Sequence, residues 1–387
     1  MKKLVALVIG TRPEAIKMAP VYFSLCASPK LEPIVISTGQ HRQMLDQTLR
    51  VFGIAPKHNL NLMQSGQTLP ELTARVITSV SSVLAELRPA AILLQGDTTT
   101  VLGAALAAFY QQVPIGHIEA GLRTYNYAAP WPEEMNRRLT DPISQWCFAP
   151  TDWSAENLRK ECINQDRIFV TGNTVIDALL WMKRKLRDSQ ISPLEFARKN
   201  NIPSDFAERY LSNDRPTEKW ILVTGHRRES FGQGFDNICK SIASLAKKYP
   251  DLGILYPVHL NPNVQEPVRR ILSHNRRIAL IPPLSYENFI YIMDRCNFVL
   301  SDSGGVQEEA PSLGKPVLVM RTTTERPEGV AAGTCLLVGT DPSIIVREAS
   351  RLLDEPLEYA RRSALQNPYG DGTAASRIVR ILEKDLT

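Results

Sequence analysis

Several short stretches carry acidic or imidazole side chains where an apolar run gives out. "AILLQGD" ends on Asp97, "PIGHIE" ends on Glu119, and "PWPEEMNRR" presents Glu133 and Glu134 behind two prolines and a tryptophan. Carboxylates that share a water-poor site raise one another's proton affinity, which yields an acid and a base at neutral pH. Asp97, followed by three threonines, fits a helix cap as well as a site acid. Glu119, followed by Ala120 and Gly121, has less structural excuse. In "PWPEEMNRR" each proline fixes its own φ and steers the preceding residue away from the helical region. That pattern predicts a stiff loop holding Glu133 in place. His226, in "LVTGHRRESFG", ends another strand, and its neighbours Arg227, Arg228 and Glu229 argue against a core histidine. His259, in "YPVHLNPN", is a weaker version of the same pattern.

Other residues could hold an anion. In "NFVLSDSGGVQEEAPSLGKP" a buried strand gives way to Ser303, Gly304 and Gly305, which open a helix. Glycine lets backbone approach a ligand closely, and the unpaired N–H groups of a helix start attract negative charge. A plain strand-to-helix turn would use the same residues, so both readings stand. Glu309 falls about one turn later, placed to accept from a ribose diol. "VIGTRPEAIK" repeats the arrangement with Arg12 and Lys17, and "TTTERPEG" adds Arg326 after a strand. "GQG" at Gly232–Gly234 lacks a third glycine, and Gly314-Lys315 is followed by Pro316. Neither the dinucleotide fingerprint nor the P-loop is therefore present.

Such groups need a scaffold. At 387 residues, with 43% hydrophobic and 22% charged residues, the chain fits a globular protein of two domains. A net charge of +5, spread along the chain, argues against nucleic acid as partner and leaves room for an anionic small ligand. "MKKLVALVIG" reads as a first strand rather than a signal segment, and no apolar stretch is long enough for a bilayer. Six scattered cysteines without metal spacing fit reduced thiols in a cytoplasmic protein. Strands are expected at 4–9, 34–37, 91–95, 114–119, 146–149 and 167–171, alternating with helices at 14–26, 43–52, 69–87 and 99–111. A charged, strandless stretch from about Trp181 to Lys219 reads as a connecting helix and linker. The rhythm then restarts, with strands at 220–224, 253–258, 277–281, 298–301 and 316–320. Helices at 235–249, 264–273, 286–295 and 305–313 fall between these strands. Two parallel α/β halves predict a ligand cleft beyond the carboxyl ends of their strands.

Taken together, "GTRPEAIKMAP", "QGDTTT", "HIEAGLRT", "PWPEEMNR", "TGHRRESFG", "YPVHLNPNV", "DSGGVQEEAPSLGKPVLV", "TTERPEG" and "NPYGDGTAASRI" resemble the non-hydrolysing UDP-N-acetylglucosamine 2-epimerases of bacteria. The resemblance runs from Gly10 to about Ile378. It implies an α/β fold of GT-B type: two Rossmann-like domains at 1–180 and 181–365, and a C-terminal helix at 366–387 crossing back to the first. It implies interconversion of UDP-GlcNAc and UDP-ManNAc without a redox cofactor or metal, usually by a homodimer, for surface polysaccharide. Arg12 and Lys17 would bind nucleotide-sugar, and Asp97, Glu119 and Glu133 would be the catalytic acids. His226 would sit by the diphosphate, with Ser303, Gly304, Gly305, Glu309 and Arg326 completing the substrate site. A second UDP-GlcNAc acting as activator would meet Gln40, Gln43, Glu134, Arg227 and His259. The uracil segment "PPLSYENF" contributes Leu284 and Phe289, with Leu284 standing where relatives carry a polar residue.

That chemistry is coherent with the residues. The C2 hydrogen of the sugar lies beside no carbonyl, so inversion needs either oxidation of a neighbouring carbon or loss of UDP from C1. Without a nicotinamide fingerprint, elimination to 2-acetamidoglucal and re-addition of UDP is the expected route. A glycosyltransferase with a UDP-sugar donor, a hydrolysing epimerase and a non-catalytic UDP-sugar sensor remain the alternatives.

Overall fold

Short apolar runs buried on both faces become parallel strands, and the computed structural model gathers them into two sheets. It describes residues 2–39, 42–64, 66–189, 191–212 and 218–387, with backbone alone at 42 and 43. The first sheet holds β1 (Lys3–Ile9), β2 (Leu31–Ser37), β3 (His58–Asn59), β4 (Ala91–Gln95), β5 (Ile115–Ile118), β6 (Trp146–Ala149) and β7 (Ile168–Val170), in the order β3-β2-β1-β4-β5-β6-β7. The second holds β8 (Trp220–Thr224), β9 (Gly253–Pro257), β10 (Ile278–Ile281), β11 (Val299–Ser301), β12 (Val317–Val319) and β13 (Cys335–Leu337), in the order β10-β9-β8-β11-β12-β13. Strand order therefore reverses between β1 and β4, and again between β8 and β11. Ligands of such sheets bind beyond the carboxyl ends at that reversal. Strands β3 and β13 were not expected: two or three residues show no periodicity, and they form only by pairing with β2 and β12.

The chain divides into two compact units, one of residues 1–180 and 369–387 and one of 181–368. In the first, β4 is buried along its whole length, and Val76, Val80 and Leu84 of the helix Leu69–Leu87 pack on Val101, Ala104 and Ala108 of the helix Thr99–Tyr110. Gly103 permits that approach, because a Cβ there would meet Val76 Cγ1 at 2.7 Å. The last helix, Ala374–Leu386, belongs to this unit: Asp177 accepts from the amides of Ala374 and Ala375, and Asp385 accepts from Trp146 Nε1.

In the second unit, Phe235, Ile238 and Ile242 pack with Val264, Val268 and Ile345 over the apolar strand faces. The stretch expected to be a connecting helix and linker holds two further helices. It carries helices Pro193–Lys199 and Ser204–Tyr210, and buried Phe196 stacks on Tyr291 at 3.8 Å between ring centroids. Asn367 donates to Glu308 O and Ser312 Oγ, so the chain stays tied to this unit until Pro368.

The expected stiff loop at Glu133 is also corrected. Pro130 and Pro132 precede a helix, Glu133–Ile143, which begins on the two glutamates themselves. Carboxylates are favoured in a first turn because the helix presents its positive end there.

Thr11 and Glu14 form a capping box at the helix Arg12–Ala27. Glu14 Oε2 accepts from Gly10 N at 2.5 Å and Thr11 N at 3.2 Å, and Oε1 accepts from Thr98 Oγ1 at 2.7 Å. Burial pushes this carboxyl up to about 7, although the amides and hydroxyls around it pull the other way. The folded state therefore holds the proton more tightly than the unfolded chain. That contribution to stability is complete below the unfolded value of about 4.5 and is lost as pH rises to about 7. At about 1.4 kcal/mol per pH unit the loss is about 3 kcal/mol. Glu14→Gln is expected to flatten the fall of Tm across this window, read by thermal melts at several pH values; an unchanged slope would reject the assignment.

Candidate active site

In the first unit the register of β4 on β5 pairs Gln95 with Ile118, and Gly96 N donates to Ile118 O at 3.0 Å. The turns carrying Asp97 and Glu119 are thereby neighbours. Glu119 takes φ of +69° and is nearly fully buried. Its Oε1 meets Lys17 Nζ at 2.5 Å and Asn173 Nδ2 at 3.2 Å, and its Oε2 accepts from Gln95 Nε2. A Cβ on Gly96 would lie 3.8 Å from Glu119 Oε2, so this carboxylate reaches over the Asp97 turn. Lys17, expected to bind nucleotide-sugar, is in this structure the counter-ion of Glu119.

Asp97 does not cap the helix that follows; Thr98 does, accepting from Val101 N. The Asp97 carboxylate, partly exposed, meets Arg137 Nη2 at 2.5 Å, while Asn136 Nδ2 donates to Asp97 O at 2.8 Å. Glu133 is half-buried, and its carboxylate has no hydrogen-bond or ion-pair partner among the described residues. Arg12 is the first residue of its helix, also half-buried.

Glu134, expected to meet a second ligand, is fully buried. Its Oε2 accepts from Thr124 N and its Oε1 from Tyr125 N, each at 3.0 Å, and Arg137 lies 3.5 Å away. A carboxylate so engaged braces its own loop. Of the other residues given to that ligand, Gln40 lies outside the described residues, as does the side chain of Gln43.

In the second unit β8 and β11 end side by side, pairing Thr224 with Ser301. Asp302, fully buried just beyond, accepts from His226 N at 2.7 Å and Arg227 N at 2.8 Å through Oδ2. Its Oδ1 stands 3.4 Å from His226 Nδ1. The His226 ring stacks on exposed His259, centroids 5.4 Å apart. Burial lowers the His226 pKa, helped by neighbouring Arg227 and His259, and Asp302 opposes them. The neutral ring is therefore favoured at pH 7. Ser303 and buried Gly304 follow, with Gly305 exposed. A Cβ on Gly304 would lie 3.9 Å from Arg227 Nη2 and 4.0 Å from Arg326 Cζ, so two guanidinium groups border this turn. Arg326 is anchored by Glu308, and Glu309 Oε1 accepts from Tyr286 Oη at 2.8 Å. Leu284 and Phe289 lie half-buried around the start of the helix Tyr286–Arg295.

Sequence reasoning passed over Gln95, Asn173, Asn136, Arg137, Asp302 and Tyr286. Gln95 and Asp302 did leave a signal, a polar residue closing an apolar strand. The helix residues left none. Among the described residues no helix is long and apolar enough to cross a membrane, and no group of His, Cys, Asp and Glu is arranged to hold a metal ion. All six cysteines are free, Cys26 and Cys162 exposed and the other four buried.

A family model described as UDP-N-acetylglucosamine 2-epimerase matches residues 24–383. The UDP-N-acetylglucosamine 2-epimerase of Escherichia coli K12 is 52% identical over 378 residues, 98% of each chain. That of Campylobacter jejuni is 50% identical over 384 residues, 99% of this chain and 98% of the relative. A crystal structure of UDP-GlcNAc 2-epimerase from Neisseria meningitidis bound to UDP-GlcNAc superposes with a TM-score of 0.86 at 49% identity, covering 99% of this chain and 100% of that one. The fold is thereby α/β of GT-B type.

The Asp302 contact makes a direct expectation. Since Asp302 is the group that raises the His226 pKa, Asp302→Asn should move it further below the ordinary 6.5. Histidine NMR titration reads this; a rise in the variant would contradict the geometry.

Proposed function

Because the chain belongs to the UDP-N-acetylglucosamine 2-epimerase family, we propose that it interconverts UDP-GlcNAc and UDP-ManNAc by eliminating and re-adding UDP, without hydrolysis. The observation that carries this reading is the pair of neighbouring acid turns in the first unit, with Glu119 buried against Lys17 and Gln95, and Asp97 gripped by Arg137. Inverting C2 requires acid and base groups on both faces of one ring. Asp97, Glu119 and the half-buried Glu133 supply three.

One carboxylate takes the C2 proton while the C1–O bond breaks. The electron pair of the C–H bond becomes the C1=C2 bond of 2-acetamidoglucal, and UDP leaves with the C1–O pair. In the return step UDP oxygen adds to C1 and an acid protonates C2 from the opposite face. The departing diphosphate carries most of the new charge. In the second unit Arg227 and Arg326 beside Gly304, with Ser303 and neutral His226, form a set of donors suited to such a charge. Glu309, held by Tyr286, is suited to the ribose diol, and Leu284 and Phe289 to the uracil face. Lys17 fits a dual part: it pairs with Glu119 and offers an ammonium group to substrate oxygens. An activating second UDP-GlcNAc would rest on Arg227 and His259, since Glu134 is internally committed.

Three outcomes are expected. UDP-GlcNAc incubated with the enzyme in deuterated water acquires deuterium at C2, and UDP-ManNAc accumulates without free ManNAc; no label at C2 would remove the reading in favour of sugar transfer, and free ManNAc would favour hydrolysis. Asp97→Asn lowers kcat by about 10²- to 10⁴-fold, as loss of a proton-transfer group does, with UDP affinity by calorimetry retained. Initial velocity rises sigmoidally with UDP-GlcNAc if the second molecule activates, whereas a hyperbolic curve would dismiss it.

A further inference from the structure

The helix Glu133–Ile143 carries one of the acids assigned to chemistry in the first unit and touches the turns that carry the other two. Glu133 is in its first turn, Asn136 and Arg137 hold Asp97, and Asp141 reaches behind both acid turns. Asp141 is fully buried. Its Oδ1 lies 2.6 Å from His117 Nδ1, and its Oδ2 accepts from Arg123 Nη2 at 2.6 Å and Gly121 N at 3.3 Å. The His117 ring, also fully buried, places Nε2 2.7 Å from Gly96 O.

The proton positions follow from what each partner can do. A carbonyl oxygen only accepts, so Nε2 carries a hydrogen. Burial alone would raise the Asp141 carboxyl, but His117 and Arg123 outweigh it and hold it below the usual carboxylate range. Asp141 is therefore an acceptor as well, and Nδ1 carries a hydrogen too. Burial opposes charge on His117, yet Asp141 and the Gly96 carbonyl keep its pKa above the ordinary value. Arg123 works against that charge, and Glu161 pairs with Arg123 at 2.7 Å and with Arg138 at 3.3 Å. Cys147, beside His117 on β6, has its thiol pushed up by burial and stays neutral.

The clamp acts on backbone. His117 and Gly121 flank Glu119 at two residues on each side, and both are tied to one carboxylate. Gly121 takes φ of +84° and packs so closely that a Cβ would stand 2.2 Å from Ser154 O. Gly96 O belongs to the peptide that leads into Asp97. We propose that Asp141 and a doubly protonated His117 are positioning residues, clamping the two turns that aim Asp97 and Glu119. The proposal rests on the functional reading above for its kinetic arm only.

Two measurements test it. In ¹⁵N-histidine spectra of the native protein, His117 should show both ring nitrogens protonated across the range where ordinary histidine titrates; a neutral His117 overturns the clamp whatever the enzyme does. His117→Gln can still donate to Gly96 O but cannot bridge to Asp141 with a charge. It is expected to lower kcat about 100-fold, the cost of a small misplacement of a reacting group, with KM for UDP-GlcNAc and calorimetric UDP affinity near native and C2 hydrogen exchange falling in step. Asp141→Asn should do the same. A folded, UDP-binding His117→Gln enzyme with native kcat overturns the proposal, as does a loss confined to KM or to Tm. If native enzyme exchanges no C2 hydrogen, the functional reading fails while the histidine spectrum still decides the clamp.

Discussion

One register, Gln95 of β4 against Ile118 of β5, decides the chemistry of the first unit. Parallel strands in register end at a common level, so Gly96–Asp97 and Glu119–Gly121 become adjacent turns at one sheet edge. A slip of one residue would send alternate side chains to opposite faces and separate the two carboxylates. The apolar burial of β4 on both sides makes such a slip costly, because it would move Leu93 and Leu94 out of their packed positions. The reactive groups are thus held by two neighbouring strands buried along their whole length.

Placing carboxylates side by side creates a second problem, which is repulsion and desolvation. The structure answers it by giving each acid a dedicated counter-group: Lys17 and Gln95 for Glu119, Arg137 for Asp97, and a helix start for Glu133. Asn136, Arg137 and Asp141 lie on the same short helix at i, i+1 and i+5. That spacing lets a single rigid element reach both turns. Buried charges of this kind contribute little net stability once desolvation is counted; their benefit is fixed geometry.

The second unit solves a related problem with opposite charge. Buried Asp302, beyond β11, receives two successive amides after β8 and faces His226. It fixes the loop that carries His226 and Arg227 at the reversal of strand order. One of the cations that border Gly304, Arg326, is itself anchored by Glu308, so it stays oriented before any anion arrives. Preorganised donors cost little reorganisation when charge develops.

By itself the sequence determined the alternation of buried strands with helices, the restart near Trp220 and the placement of reactive residues where strands end. Those features follow from local periodicity and from the turn chemistry of glycine and threonine, which act over a few residues. The long helix Leu69–Leu87 was legible to the residue because its apolar spacing persists over nineteen positions and Thr68 caps it. Only tertiary structure decided which strands are neighbours, that Glu134 is spent on Thr124 and Tyr125, and that Glu133 opens a helix instead of riding a loop. It alone brought Asp141 to His117 and Asp302 to His226, across 24 and 76 residues. Long-range contacts of this kind depend on how whole elements pack, and no short stretch of chain encodes them.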